Sequence, residues 1–185
     1  PATATSPGTS GRSAADRGRS GPRARRRGHT VGMALHPNLR DLAPLVGTWT
    51  GRGHGEYPTI SEFDYRDEVT FTDVGKPFLI YAQRTWIGEA PMHVETGYLR
   101  GVGDGRVEVC VAIPTGQTEN GVGTWEVTTD EDGTDLLVIE TDAAVACTPT
   151  AKPVDRITRV LECAGDHLTY EMSMSAVGRG LTLHL

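Results

Sequence analysis

The sequence predicts an all-β protein, an antiparallel up-and-down β-barrel of about ten strands with a short N-terminal helix that caps one end. Three observations predict this fold. From residue 47 onward, apolar and polar residues alternate with a period of two in segments rich in Val, Ile, Thr and aromatics. Turn residues separate these segments, and a helical pattern precedes them. Because such a meander leaves two open edges, closure into a barrel is the most economical arrangement.

The elements follow in order along the chain. A short helix is predicted at 36–47 from leucines spaced three apart between an early and a late proline: Leu39, Leu42, Leu45, Pro37 and Pro44. After the strand that starts at Gly47, further strands are predicted at 65–71, 78–86, 95–101, 106–113, 122–128, 136–141, 156–162 and 168–175. Clusters of Gly, Asp and Pro predict turns between them at 73–77, 103–105, 130–133 and 164–166.

The amino-acid composition limits the function classes. The chain has 185 residues, of which 37% are hydrophobic and 23% charged, and this is ordinary for one globular domain with its own core. No run approaches about 18 consecutive apolar residues, so no transmembrane helix is predicted. The three cysteines are far apart and form no Cys-x-x-Cys pair. They favour a reducing compartment over a disulfide framework or a zinc site, so we expect a cytoplasmic protein.

Residues 1–32 differ in composition from the rest of the chain. They contain seven arginines and one acidic residue but almost no large apolar side chain, which predicts a disordered Arg-rich extension before a barrel domain at 33–185. A nucleic-acid patch or part of a targeting peptide stays open for the run 23–27, and Met33 is an alternative start of translation. Without the extension the formal charge is −12, so nucleic acid is not an expected partner.

One predicted strand carries glycine at alternate positions, all on one face. The segment 47–60 reads Gly-Thr-Trp-Thr-Gly-Arg-Gly-His-Gly-Glu-Tyr-Pro-Thr-Ile. Such a face lets another backbone or a flat ligand approach very closely. A barrel of this size either fills its interior with side chains or encloses a ligand, so a small-molecule carrier and a catalyst both stay open.

Sequence motifs for catalysis are scarce. The chain contains no Gly-x-Ser-x-Gly, no His-Glu-x-x-His, no phosphate loop and no dinucleotide fingerprint. Carboxylate pairs such as Glu119 with Glu126, or Asp64 with Asp67, are typical of exposed strands and turns, and we expect no acid–base role for them. Three histidines lie in or beside predicted strands, where packing and ligand binding both stay open: His54, His93 and His184.

Five motifs occur in order along the predicted barrel. After the glycine strand with its Tyr-Pro-Thr-Ile end come Gly-Lys-Pro-Phe at 75–78 and Pro-Met-His-x-Glu-Thr-Gly-Tyr-Leu-Arg at 91–100. Pro-Thr-Ala-Lys at 149–152 and Met-Ser-Ala-Val-Gly at 174–178 follow, and the last leads to His-Leu at 184–185. Together these motifs resemble those of the nitrobindins, small heme-binding β-barrels related in shape to lipocalins and fatty-acid-binding proteins. The resemblance covers about residues 36–185.

The resemblance implies a heme site. His184 matches the proximal histidine that holds ferric heme b in this family, so it is the expected metal ligand and catalytic residue, with an open sixth position on the iron. Met92 and His93 are expected on the open side and Met174 near the ring. Lys152 is a candidate heme contact, with a solvated lysine as the alternative. Further expected contacts lie in the glycine strand and its hairpin: Thr59, Gly47, Trp49, Gly51 and Gly53.

The activity implied by the resemblance is isomerisation of peroxynitrite to nitrate, with nitric oxide as a further ligand. In this chemistry the iron acts as a Lewis acid that weakens the O–O bond, which requires no catalytic triad or carboxylate dyad. No membrane partner is expected, and a homodimer is a compatible assembly. The alternative is a carrier of an apolar small molecule or fatty acid in a lipocalin-like barrel. Such a carrier would not need His184 and would usually have a basic residue inside.

Two features bear on how well such a site would work. The resembled family continues past the ligand histidine into a short amphipathic helix, whereas this sequence ends at Leu185. If Leu185 is the true terminus, we expect His184 to lie on a frayed end and heme retention to suffer. If His93 reached the iron, the site would be six-coordinate and slow.

Overall fold

The computed structural model describes residues 23–27, 35–129 and 131–185. They form one 3₁₀ helix, Pro37–Leu45, and antiparallel strands joined mostly by tight turns. The strands are β1 (Arg23–Arg27), β2 (Gly47–Tyr57), β3 (Ile60–Asp73), β4 (Phe78–Ile87), β5 (Ala90–Gly103), β6 (Arg106–Ile113), β7 (Gln117–Thr129), β8 (Asp135–Cys147), β9 (Val154–Ala164), β10 (His167–Ala176) and β11 (Thr182–Leu183).

The strands form one closed meander. Each strand pairs antiparallel with the next along the chain, and an additional pairing of β1 with β10 closes the sheet. The predicted all-β class and up-and-down barrel of about ten strands are confirmed. Several strands extend past their predicted bounds, β3 by five residues at its start. Four of these five residues are exposed and Phe63 alone is half-buried, so they continue the backbone ladder with little of the apolar alternation by which the sequence predicts a strand.

Strand β1 lies inside the segment for which the sequence predicts disorder, and the structure describes these five residues as an extended strand. Arg23 lies opposite Arg52 of β2 and opposite Thr169 of β10, so β1 fills the gap between the first and last long strands. Ladder hydrogen bonds come from the backbone, and a run without apolar side chains can therefore still pair with two strand edges. Residues 1–22 and 28–34, which include Met33, lie outside the described part of the chain.

The helix plugs one end of the barrel, called the closed end below. Leu39, Leu42 and Leu45 are fully buried, and the indole Nε1 of Trp49 donates a hydrogen bond to the Leu45 carbonyl at 2.8 Å. The spacing of the leucines explains the helix type. A 3₁₀ helix has three residues per turn, so residues three apart lie on one face and all three leucines enter the core.

The opposite end of the barrel, called the open end below, gathers the remaining turns. It consists of the β2–β3 hairpin, the β4–β5 and β6–β7 turns, the β8–β9 loop and the C-terminal segment with β11. Inward-facing residues alternate with outward-facing ones along most of β3, β5 and β10, so each of these strands contributes a row of side chains to the interior. In the described residues no helix is long and apolar enough to cross a membrane.

Candidate functional site

The C-terminal segment, residues 182–185, lies at the open end in the gap between β2 and β10, which we call the seam of the barrel. The backbone N–H of His184 donates to the Met172 carbonyl of β10 at 2.8 Å, and its carbonyl accepts from the Glu56 N–H of β2 at 2.8 Å. The Met172 N–H in turn donates to the Leu185 carbonyl at 3.0 Å. The frayed end expected from the sequence is therefore not present. The segment can bind both β2 and β10 because β1 occupies the gap between these strands only toward the closed end.

The His184 side chain is held in one tautomer. Its Nδ1 lies 2.9 Å from the Glu56 carbonyl oxygen, so Nδ1 carries the hydrogen and Nε2 keeps its lone pair. The rings of Tyr57 and Phe63 stand edge-on to the imidazole at 5.7 and 6.3 Å between centroids. Burial lowers the pKa of His184, although the hydrogen bond to Glu56 acts against it. A neutral imidazole with Nδ1–H on a backbone carbonyl is the form that binds a metal through Nε2.

Glycines of β2 make room for aromatic rings of β3. Gly53 and Gly55 lie opposite Tyr65 and Phe63, and a Cβ at either glycine would fall 2.3 Å from the ring of its partner. The sequence pattern leaves open whether another backbone or a flat ligand approaches, and at these two positions the approaching group is a side chain of the neighbouring strand. Gly55 thereby lets Phe63 reach His184, and Gly53 lets Tyr65 reach the centre of the barrel.

Two expected cofactor contacts lie at the start of β2, at the closed end of the barrel and far from His184. Trp49 is fully buried in the core beside the helix, and Gly47 precedes it at the start of the strand. Tyr57, which contacts His184, is eight residues beyond Trp49, about 26 Å along an extended strand. If His184 holds the cofactor, Gly47 and Trp49 are therefore too far along β2 to contact it. Gly51 lies between the two ends, paired with Asp67.

Met92 and His93 lie side by side at a β-bulge of β5, where both fall opposite Thr85 of β4. His93 is half-buried on the inner face, in phase with Glu95 and Leu99, and Met92 beside it is 38% exposed. The bulge interrupts the alternation of faces between the two residues, so the expectation that both line one pocket stays a prediction. The His93 Nε2 lies 3.3 Å from Oε2 of Glu95, and its backbone N–H donates to Thr85 Oγ1 at 3.1 Å.

The structure brings the remaining expected residues to the open end. Met174 is half-buried on the inner face of β10 and lies opposite Thr182 of β11. Thr59 is exposed in the β2–β3 hairpin. Lys152 is exposed in the β8–β9 loop, where its carbonyl accepts a hydrogen bond from Gln117 Nε2 at 3.0 Å. An exposed lysine at this rim fits both an ionic contact with a bound ligand and plain solvation.

A layer of buried polar side chains crosses the barrel interior below the open end, and we call it the polar layer. At its centre, Arg159 donates to Glu95 at 2.8 and 3.1 Å and to Glu119 at 2.6 and 3.3 Å. Hydrogen bonds continue across the barrel through the other members, which come from three further strands: Tyr81, Gln83, Asp67, Tyr170 and Tyr65. His93 joins the layer from above through Glu95.

Burial sets the electrostatics of this layer. It would raise the pKa of Glu95, but the charge and hydrogen bonds of Arg159 and His93 hold that pKa well below its usual range. Burial raises the pKa of Glu119 despite Arg159, and raises the pKa of Asp67 to about 6 against hydrogen bonds from Gln83 and Tyr170. Two carboxylates thus face one guanidinium, and Glu95, the one in contact with His93, is the one whose charged form is favoured.

Sequence reasoning missed the polar layer. It places Glu119 and Asp67 in exposed carboxylate pairs, and both are buried. The alternation along each strand could have indicated that these residues are buried. Asp67 shares its face of β3 with Tyr65 and Val69, and Arg159 shares its face of β9 with Ile157 and Leu161. A charged residue in phase with apolar neighbours on a strand faces the core, and it then needs partners inside.

The apolar interior between the polar layer and the helix is nearly filled. It contains a cavity of about 50 Å³ with a largely apolar lining that includes Val69, Phe71 and Ile139. Sites for drug-sized ligands are on the order of 300–1,000 Å³. The basic residue that the carrier hypothesis requires is present as Arg159, but Glu95 and Glu119 already neutralise it. The interior therefore offers a fatty acid neither the volume nor a free cation.

The fold and the site together define a small antiparallel β-barrel with a candidate ligand histidine at its open end. A family model described as the THAP4-like, heme-binding β-barrel domain matches residues 38–185. The chain belongs to this family. The heme-binding barrel expected from the sequence motifs is thereby confirmed.

Relatives with assigned names are similar over most of their length. The chain is 50% identical over 153 residues to peroxynitrite isomerase 2 of Mycobacterium avium, covering 82% of this chain and 92% of that protein. It is 46% identical over 156 residues to peroxynitrite isomerase of Nocardia farcinica, covering 83% and 90%. The crystal structure of Rv2717c from M. tuberculosis superposes with a TM-score of 0.76 at 44% identity, covering 82% of this chain and 94% of that one.

Proposed function

We propose that this protein binds ferric heme b through His184, leaves the sixth position of the iron open, and isomerises peroxynitrite to nitrate. Nitric oxide is a further ligand of the same position. The observation that carries the proposal is the state of His184, a partly buried imidazole whose Nδ1–H is fixed on the Glu56 carbonyl and whose Nε2 keeps its lone pair. The heme-binding family and relatives named peroxynitrite isomerase support the cofactor and the reaction.

The residues at the open end fit the tasks of such a site. The Glu56 carbonyl makes the imidazole more basic toward a metal and fixes its plane, and Tyr57 and Phe63 pack beside it and exclude water. Met174 supplies apolar surface and Lys152 a cation at the rim for a carboxylate. When bound, ferric heme supplies Lewis-acid chemistry and an open coordination position. The chain itself then needs no nucleophile or acid–base dyad at the open end.

A hemin titration of His184→Ala and His54→Ala tests the ligand assignment. His54 is a matched control because it lies on β2 near the same hairpin but faces outward, paired with Asp64 at 2.9 Å. We expect wild type and His54→Ala to bind hemin with a sharp Soret band. His184→Ala should bind at least about 100-fold more weakly, since the axial bond is lost. Equal binding by both variants would overturn the assignment.

The reaction is tested separately from binding by stopped-flow decay of peroxynitrite with nitrate and nitrite measured at the end. We expect the ferric holoprotein to accelerate decay and raise the yield of nitrate, and apoprotein to do neither. Addition of nitric oxide in advance should slow the decay because it occupies the same position. Tight hemin binding without any effect on decay or yield would leave heme binding in place and contradict the activity.

A further inference from the structure

The His93 ring is attached to the polar layer by one nitrogen. His93 and Glu95 are two residues apart on β5 and therefore face the same side, and His93 Nε2 lies 3.3 Å from Glu95 Oε2. The backbone N–H of His93 is fixed on Thr85 Oγ1 at 3.1 Å. His93 is thus held at its backbone N–H and at Nε2 of its ring. The other ring nitrogen, Nδ1, lies nearer the backbone and takes no part in the contact with Glu95.

Glu95 is in turn immobilised from below. It is 2% exposed, accepts two hydrogen bonds from Arg159 at 2.8 and 3.1 Å, and accepts one from the Tyr81 hydroxyl. Arg159 also forms a salt bridge with Glu119 at 2.6 Å. The charged or titratable groups around His93 are thus Glu95 in contact, Arg159 and Glu119 behind it, and His184 across the open end.

We propose that Glu95 is a positioning residue that binds the Nε2–H of His93 and so keeps His93 from becoming a sixth ligand of the cofactor iron. A nitrogen that donates its hydrogen to a carboxylate has no lone pair left for a metal. Nε2 is also the nitrogen farthest from the backbone, so its capture shortens the reach of the side chain. The part that concerns iron rests on the proposed function, whereas the tautomer of His93 does not.

Nitrogen-15 NMR of the apoprotein tests the tautomer without any cofactor. The variants are Glu95→Gln and its matched control Glu119→Gln, because both carboxylates are buried and both bind Arg159 but Glu95 alone touches His93. We expect Nε2 of His93 to carry the hydrogen in wild type and in Glu119→Gln. In Glu95→Gln the amide NH₂ can face the ring, and Nε2 should shift to the unprotonated position. An unshifted Nε2 in Glu95→Gln, or the same shift in both variants, would overturn the proposal.

The spectrum of the ferric holoprotein tests the consequence. We expect wild type and Glu119→Gln to show a spectrum with an open or weakly occupied sixth position. Glu95→Gln should shift toward the low-spin, six-coordinate spectrum of two histidine ligands, and Glu95→Gln/His93→Ala should shift back. A Glu95→Gln spectrum identical to wild type would overturn the proposed role at the iron. Failure of wild type to bind hemin would instead overturn the proposed function, and the NMR result would still decide the role of Glu95.

Discussion

Aromatic side chains of β3 occupy the space that the glycines of β2 leave open. Tyr65 covers Gly53 and brings its hydroxyl to 2.8 Å from that of Tyr170, and Phe63 covers Gly55 and packs against His184. Each glycine therefore acts on the site through its cross-strand partner. The sequence pattern correctly indicates a close approach, but it carries no information on whether a ligand or a ring makes it.

Gly53→Ala tests this arrangement. A Cβ at this position would fall 2.3 Å from the Tyr65 ring, and the ring cannot move away without breaking the Tyr65–Tyr170 hydrogen bond. We expect a loss of about 1–3 kcal/mol in the free energy of unfolding, measured in urea. Gly180→Ala is the matched control, because nothing lies within 4 Å of a Cβ there. Equal stability of the two variants would contradict the packing described for β2.

Asp67 gives the polar layer a pH dependence of its own. Its pKa is about 6 in the folded protein, above the ordinary value of 3.8, so the folded state holds this proton more tightly than the unfolded state. Its contribution to stability is complete below about pH 4 and is lost as the pH rises through 6.

Asp67→Asn cannot ionise and should remove this dependence. Relative to wild type, we expect the variant to gain on the order of 2–3 kcal/mol in unfolding free energy between pH 4 and pH 7.5. Urea unfolding at a series of pH values measures the difference. Asp155→Asn, an exposed change on β9, is the control and should follow the wild-type curve. Parallel curves for wild type and Asp67→Asn would contradict the buried state of Asp67.

At the scale of the elements, the seam between β2 and β10 is closed by two short segments from opposite ends of the chain. β1 fills it toward the closed end, and residues 182–185 fill it toward the open end. The position of His184 therefore depends on barrel closure, since its backbone is held by both flanking strands.

Arg25→Pro tests the contribution of β1. Arg25 pairs with Thr50 of β2 and His167 of β10, and proline has no N–H to donate. We expect a loss of about 1–3 kcal/mol and faster hydrogen exchange at amides of β2 and β10 near this pairing. Arg25→Ala keeps the backbone pairing and is the control. If exchange in β2 and β10 were the same in both variants, β1 would not close the barrel in solution.

The elements also show which features could be predicted from sequence. Period-two alternation and turn residues predict β2 to β10, and the leucine spacing predicts the helix, because side-chain burial determines those patterns. β1 and β11 could not be predicted this way, since neither sequence contains an alternation of apolar and polar residues and both pair through backbone groups. Of the site residues, His184 required the family resemblance, because a lone histidine among leucines fits core packing as well as ligand binding.

At the scale of the whole molecule, the polar layer divides the barrel into two parts with different tasks. The part below it is a packed apolar core closed by the 3₁₀ helix, with a cavity of only about 50 Å³. The part above it carries His93, Met174 and His184 at the open end. The proposed chemistry is thus confined to the open end, above a layer of buried, hydrogen-bonded charged side chains. The predicted cytoplasmic location and homodimer stay predictions.

The proposed function depends on His184 forming the single bond between the protein and the heme iron, and chemical rescue tests that bond. His184→Gly removes the imidazole while the backbone pairing of the C-terminal segment remains, so hemin should bind weakly and the Soret band should be broad. Free imidazole added to this variant should restore the wild-type ferric spectrum and tight binding, and should have no such effect in His184→Ala/Glu56→Pro, where the seam itself is broken. A His184→Gly protein that keeps the wild-type spectrum and affinity for hemin without imidazole would show that His184 is not the iron ligand.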